Sequence, residues 1–133
     1  MSSSYSSEEL TDILRRALDA LESGRYSLNS RRPSKPWHLA TALERLNACC
    51  SFEIIEEDDY WGVVLDCLET ALENPTRAYK KPEESICTHD EATGLEMFAF
   101  IVQLEDFTCT IYTKFCLKEQ SDGTWYLAIS CHP

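Results

Sequence analysis

The hydrophobic period of this chain changes once, near Pro82, from the three-to-four-residue spacing of helices to the alternation of strands. Such a chain lays down helices first and then strands, and strands joined by short turns pair with their neighbours. The expected class is α+β, with N-terminal helices packed on one face of a C-terminal antiparallel sheet of three or more strands. At 133 residues, one core accounts for the whole chain, 1–133, as a single domain.

The first helical stretch is the plainest. Leu10, Ile13, Leu14, Ala17, Leu18 and Leu21 recur on one helical face. Ser6 and Glu9 have capping-box spacing and Gly24 suits the residue after the last turn, so a helix is expected over about 7–23. Leu39, Ala42, Leu43 and Leu46 predict a second helix within 37–49, while 51–55 reads as either a short strand or a turn. A third helix begins at Asp58 or Asp59, buries a face of Trp61, Val64, Leu65, Leu68, Ala71 and Leu72, and stops at Asn74-Pro75. Its acidic start suits the helix dipole. Beyond Pro82, the stretches 95–104, 108–117 and 124–131 are rich in aromatic and β-branched residues. Turns at Asp106 and at Ser121-Asp122-Gly123 make them an antiparallel meander.

Seven cysteines, at 49, 50, 67, 87, 109, 116 and 131, form an odd set with no CxxC pair and no zinc-like spacing to histidine. Cys67, Cys109 and Cys116 fall inside apolar patterns, so free thiols are expected rather than a disulfide framework. No apolar run is long enough to span a bilayer, and the first ten residues lack a basic-then-apolar leader pattern, so a cytoplasmic protein is expected.

The net charge of −11 argues against indiscriminate attraction to nucleic acid or anionic lipid. The charge is unevenly spread: residues 1–36 hold six basic and five acidic groups, and residues 37–133 hold six and eighteen. Within 25–36, Arg25, Arg31, Arg32 and Lys35 occur with two prolines and no acid, which reads as a basic loop or edge. It serves either as a solvated connector or as a phosphate contact.

Phosphate-binding glycine loops, the GxSxG elbow and the HExxH motif are all missing from the sequence, which disfavours nucleotide-binding α/β enzymes and the commonest hydrolases. The acidic runs 56–59 and 83–84 lack EF-hand spacing and read as a solvated face; no metal or cofactor is implied. A more specific set joins Tyr79, Lys80 and Lys81 to Tyr112, Lys114 and His132. Cleaving RNA by its own 2′-hydroxyl needs a group to take that proton, cations for the phosphorane charge and an acid for the leaving oxygen. Lysine, tyrosine and histidine can fill those roles. Tyr112 and Lys114 are two apart, so a strand projects both from one face. Each also has a plainer reading, as an interface aromatic, a solvated charge or a frayed terminal side chain.

The order of elements, with the segments DDYWGVVLDCL, AYKK, IYTKFCL and WYLAISCH, resembles the MqsR-type messenger-RNA interferase toxins of the RelE-like superfamily. The resemblance implies a RelE/MqsR-like fold and a metal-independent toxin–antitoxin endoribonuclease with an RNA substrate and a cognate antitoxin. On this reading Lys80, Tyr112, Lys114 and His132 are the catalytic candidates, and RNA contact falls to Tyr79 and Lys81 and, from its basic composition, to the segment with Arg25, Arg31, Arg32 and Lys35. EMFAF lacks the glutamine that the family carries on the first strand of its meander, and His132 stands where the family has lysine. Two other expectations come from the residues themselves. The surplus acid after Pro36 suits a non-catalytic inhibitor, immunity or phage accessory factor that binds a basic protein. A curved inner sheet face lined by Trp61, Trp125 and phenylalanines suits a ligand-binding or enzymatic pocket.

Overall fold

A computed structural model of the chain describes residues 5–28, 39–50, 57–80 and 95–132. Helix α1 spans Ser7–Glu22 and opens with the capping box: the Ser6 oxygen accepts from the Glu9 amide, and the Glu9 carboxylate accepts from the Ser6 amide. At the other end the Arg25 and Gly24 amides donate back to the Ala20 and Leu21 carbonyls. This wrapped terminus needs a left-handed residue, which Gly24 supplies at φ 77°. Leu10, Leu14 and Ala17 are fully buried, so the periodic face is the core face.

The chain then enters β1 (Tyr26–Leu28), α2 (Leu39–Ala48), α3 (Glu57–Glu73) and the single turn α4 (Pro75–Ala78). Three strands complete it: β2 (Phe98–Val102), β3 (Ile111–Glu119) and β4 (Trp125–His132). The last three form the expected antiparallel meander, so the chain is an α+β protein with helices packed on the sheet. Gly123, at φ 86°, closes the β3–β4 turn by donating to the Gln120 carbonyl.

Two elements add to the expected order. Residues 26–28, within the stretch read as a basic loop or edge, are a fourth strand that pairs in parallel with β4, giving the order β1-β4-β3-β2. Three residues are too few to show alternation; what recruits them is the open edge of β4 and the fit of the Tyr26 ring against Trp61, 4.5 Å between centroids. Likewise Asn74-Pro75 ends α3, but proline at a first helical position also starts α4. The 51–55 segment lies outside the described residues.

The core is the layer between helices and sheet. Phe98, Phe100, Ile111, Phe115, Leu127 and Ile129 meet Leu10, Leu14, Tyr60, Val64 and Leu68 there. Each fully buried side chain of this size contributes roughly 1.5–3 kcal/mol. Tyr60 carries a hydroxyl into this layer, where its oxygen accepts the Cys131 amide at 2.9 Å. β1 pairs with β4 only as far as Ile129, so that amide lies past the strand that would otherwise satisfy it.

Candidate functional site

Strand alternation sends Phe98, Phe100, Ile111, Thr113, Phe115, Leu127, Ile129 and Cys131 toward the helices. The opposite, outer face therefore carries Met97, Ala99 and Ile101, then Tyr112, Lys114, Cys116 and Lys118, then Tyr126 and Ala128. Two cross-strand rows of this face matter chemically. In the first, Ile101 pairs with Tyr112 and Tyr112 with His132. In the second, Ala99 pairs with Lys114 and Lys114 with Ser130.

Lys80 joins the second row from the edge. Tyr79 bridges Phe100 in antiparallel sense, and the Lys80 amide donates to the Ala99 carbonyl at 2.9 Å. Lys80 is thus level with Ala99, and its backbone lies about 10 Å from that of Lys114, two strand spacings away. Lys80 is exposed, and Tyr112 and Lys114 are half-buried. Residues from three separate segments, 80, 112 with 114, and 132, occupy adjoining rows of one sheet.

The other sequence candidates do not join them. The ring of Tyr79 turns to the core side, edge-on to Phe100 at 5.6 Å and to Tyr5 at 5.8 Å, and burial pushes its phenol above the ordinary value. Arg25 is committed elsewhere: its Nε donates to the Trp125 carbonyl at 3.0 Å and its terminal nitrogen pairs with Asp19 at 2.8 Å. Lys81, Arg31, Arg32 and Lys35 lie outside the described residues, and for His132 the backbone alone is described. Trp61 packs on Tyr26, and Trp125 lies under the Arg16 guanidinium at 4.7 Å.

Part of the outer face is closed. Met97, Ala99 and Cys116 are buried, and Leu95 and Ala128 pack on Met97 and Cys116 to form a small second apolar cluster. Polar residues flank that cluster, with Tyr112 and Lys114 on one side and Lys118 and Tyr126 on the other. Among the strand positions of this face no described residue is a carboxylate, whereas α3 carries six acidic residues and no basic one.

Sequence reasoning missed the polar ties of the β2–β3 connection. The Gln103 side-chain nitrogen donates to the Phe107 carbonyl at 2.7 Å and reaches those of Leu104 and Cys109 at 3.1 and 3.3 Å. A glutamine at a strand end gives no sequence signal of such a role. No group of acidic, histidine or cysteine side chains suited to a metal occurs among the described residues, and no described helix is long and apolar enough to cross a membrane. No known protein family, no curated protein and no solved structure matches the chain.

Proposed function

We propose that the chain is a metal-independent endoribonuclease of toxin–antitoxin type, acting at the Tyr112–Lys114 end of the outer sheet face. The observation that carries this reading is the register: Lys80 and Lys114 share one cross-strand row, and Tyr112 and His132 share the next. The two ammonium groups stabilise the charge that builds on the phosphorane oxygens. His132 takes the 2′-hydroxyl proton or returns one to the departing 5′-oxygen, and Tyr112 orients the phosphate or donates to it. The 2′-oxygen bonds to phosphorus as the bond to the 5′-oxygen breaks, leaving a cyclic phosphate and a 5′-hydroxyl. The nucleophile belongs to the substrate and is already positioned beside its target.

Purified protein incubated with RNA in EDTA is expected to cleave it, and a Lys80→Ala/Tyr112→Phe variant to lose at least about 100-fold in rate, the scale of one lost transition-state donor. Equal inertness of the two proteins would falsify the catalytic reading.

A second reading rests on α3, where Asp58, Asp59, Asp66, Glu69 and Glu73 are exposed on a helix that carries no basic residue. Such a side suits a basic protein partner, with the chain acting as an inhibitor or accessory factor. Capture of a basic protein at low salt and its release at high salt supports this alternative; a partner held equally at both removes its basis.

A further inference from the structure

Three cysteines from two distant segments meet at the end of α2. Cys49 and Cys50 follow that helix, and Cys109 lies in the β2–β3 connection. The segments are tied by backbone: Cys50 bridges Phe107, and the Cys49 carbonyl accepts from the Thr108 amide at 2.8 Å and from its hydroxyl at 3.2 Å. Gln103 holds the Cys109 carbonyl from the other side. The Cys109 and Cys50 thiols both act on that of Cys49, so the three lie close together, and all are half-buried rather than enclosed. A second pair among the described thiols, Cys67 with Cys131, differs: both are buried in the core, where Thr113 reaches the Cys131 sulfur at 3.4 Å.

We propose that Cys49 and Cys109 form a reversible disulfide when the protein meets a peroxide. Two conditions for such a bond are present: neighbouring thiols, and carriers already tied to each other by backbone hydrogen bonds, so that closure is left to side-chain adjustment. Partial exposure supplies the third, access for the oxidant. Burial and the adjacent Cys109 and Cys50 push the Cys49 thiol up to about 12, which suits Cys49 to the resolving role. The Cys109 thiolate attacks one oxygen of hydrogen peroxide, breaking the O–O bond and giving a sulfenic acid and hydroxide. The Cys49 sulfur then bonds to the Cys109 sulfur and expels the sulfenic oxygen as hydroxide, which takes the Cys49 proton and leaves as water. The two thiols lose two electrons, and the peroxide is reduced to two waters.

The bond staples the end of α2 to the connection that leads, three residues later, into Tyr112. It therefore stiffens the approach to the outer face, whatever that face binds.

The test uses the full, reduced chain and a slight excess of hydrogen peroxide, followed by thiol counting in denaturant and peptide mapping without reductant. The expected result is a fall from seven titratable thiols to five, with Cys49 and Cys109 in one crosslinked peptide and full recovery on adding a dithiol reductant. Cys49→Ala and Cys109→Ala should each abolish that crosslink, while Cys116→Ala keeps it. A crosslink that maps to Cys67–Cys131, or involves Cys50 or Cys87 in every molecule, overturns the assignment. So does oxidation that reaches sulfinic acid at Cys109 with Cys49 still reduced. These readouts contain no RNA, so they stand or fall separately from cleavage.

Discussion

Tyr60 shows how one atom can close a sheet edge. Its ring fills the core, and its oxygen takes the Cys131 amide that β1 is too short to reach. Tyr60→Phe keeps the packing and leaves a buried donor unpaired, so it should lower stability by about 1–3 kcal/mol, read as a shifted urea midpoint at unchanged slope. A change below about half a kcal/mol would mean that water reaches the amide. Asp66 gives a pH-dependent case. Burial first, and then the Asp106 carboxylate, raise its pKa above the ordinary 3.8, so the folded chain binds this proton more tightly than the unfolded chain does. Stability from this group is accordingly gained as pH falls through the acid range and lost as pH rises past the folded value. Asp66→Asn should raise the melting temperature near neutral pH, with the advantage shrinking toward pH 3.8. Because Asp66 is exposed, solvent screening keeps the gain to roughly 0.5 kcal/mol or less. An equal gain at both ends of the range would trace it to helix propensity instead.

Among the elements, β1 is the least expected and the most informative. Its three residues pair in parallel with β4, set Tyr26 against Trp61 of α3, and follow directly on the wrapped end of α1. A short parallel edge strand has little stability of its own, so side-chain contact must hold it. A double-mutant cycle with Tyr26→Ala and Trp61→Ala should give a coupling of about 0.5–1.5 kcal/mol. Strict additivity would mean that backbone pairing alone anchors the strand. The helices α1 and α3 and the three meander strands were legible because each repeats its period over many residues and carries its own stop signal. β1 and α4 were not, being shorter than the period that would announce them.

At the scale of the whole molecule, the net charge is −11, and the described charges of α3 and of the outer sheet face differ in sign. The helical side holds the carboxylates of α3, and the strand positions of the outer face present lysines at 114 and 118 with no described carboxylate among them. This arrangement lets an acidic protein approach a polyanion from one direction, with repulsion acting from behind. Under the ribonuclease reading, neutralising Asp66, Glu69 and Glu73 together to amides should speed RNA association several-fold at low salt and leave the cleavage step unchanged. The difference should largely vanish at high salt, where screening falls to a few ångströms. A gain that persists at high salt would indicate a direct contact between α3 and RNA.

The sequence by itself determined the α+β class, the helix caps and the meander order, because these follow from local periodicity, capping chemistry and short turns. It also put Tyr112 and Lys114 on one face, since that needs only their spacing on a strand. Tertiary structure alone decided which distant residues share that face. Register between β3 and β4 sets position 132 across from Tyr112, and the bridge at Phe100 brings Lys80 level with Lys114. Tertiary packing likewise turns Tyr79 toward the core, commits Arg25 to Asp19 and Trp125, and ties the segment of Cys49 to that of Thr108, next to Cys109. The physical reason is that spacing along a strand is fixed by covalent geometry, whereas alignment between strands is selected by which side chains the core accepts.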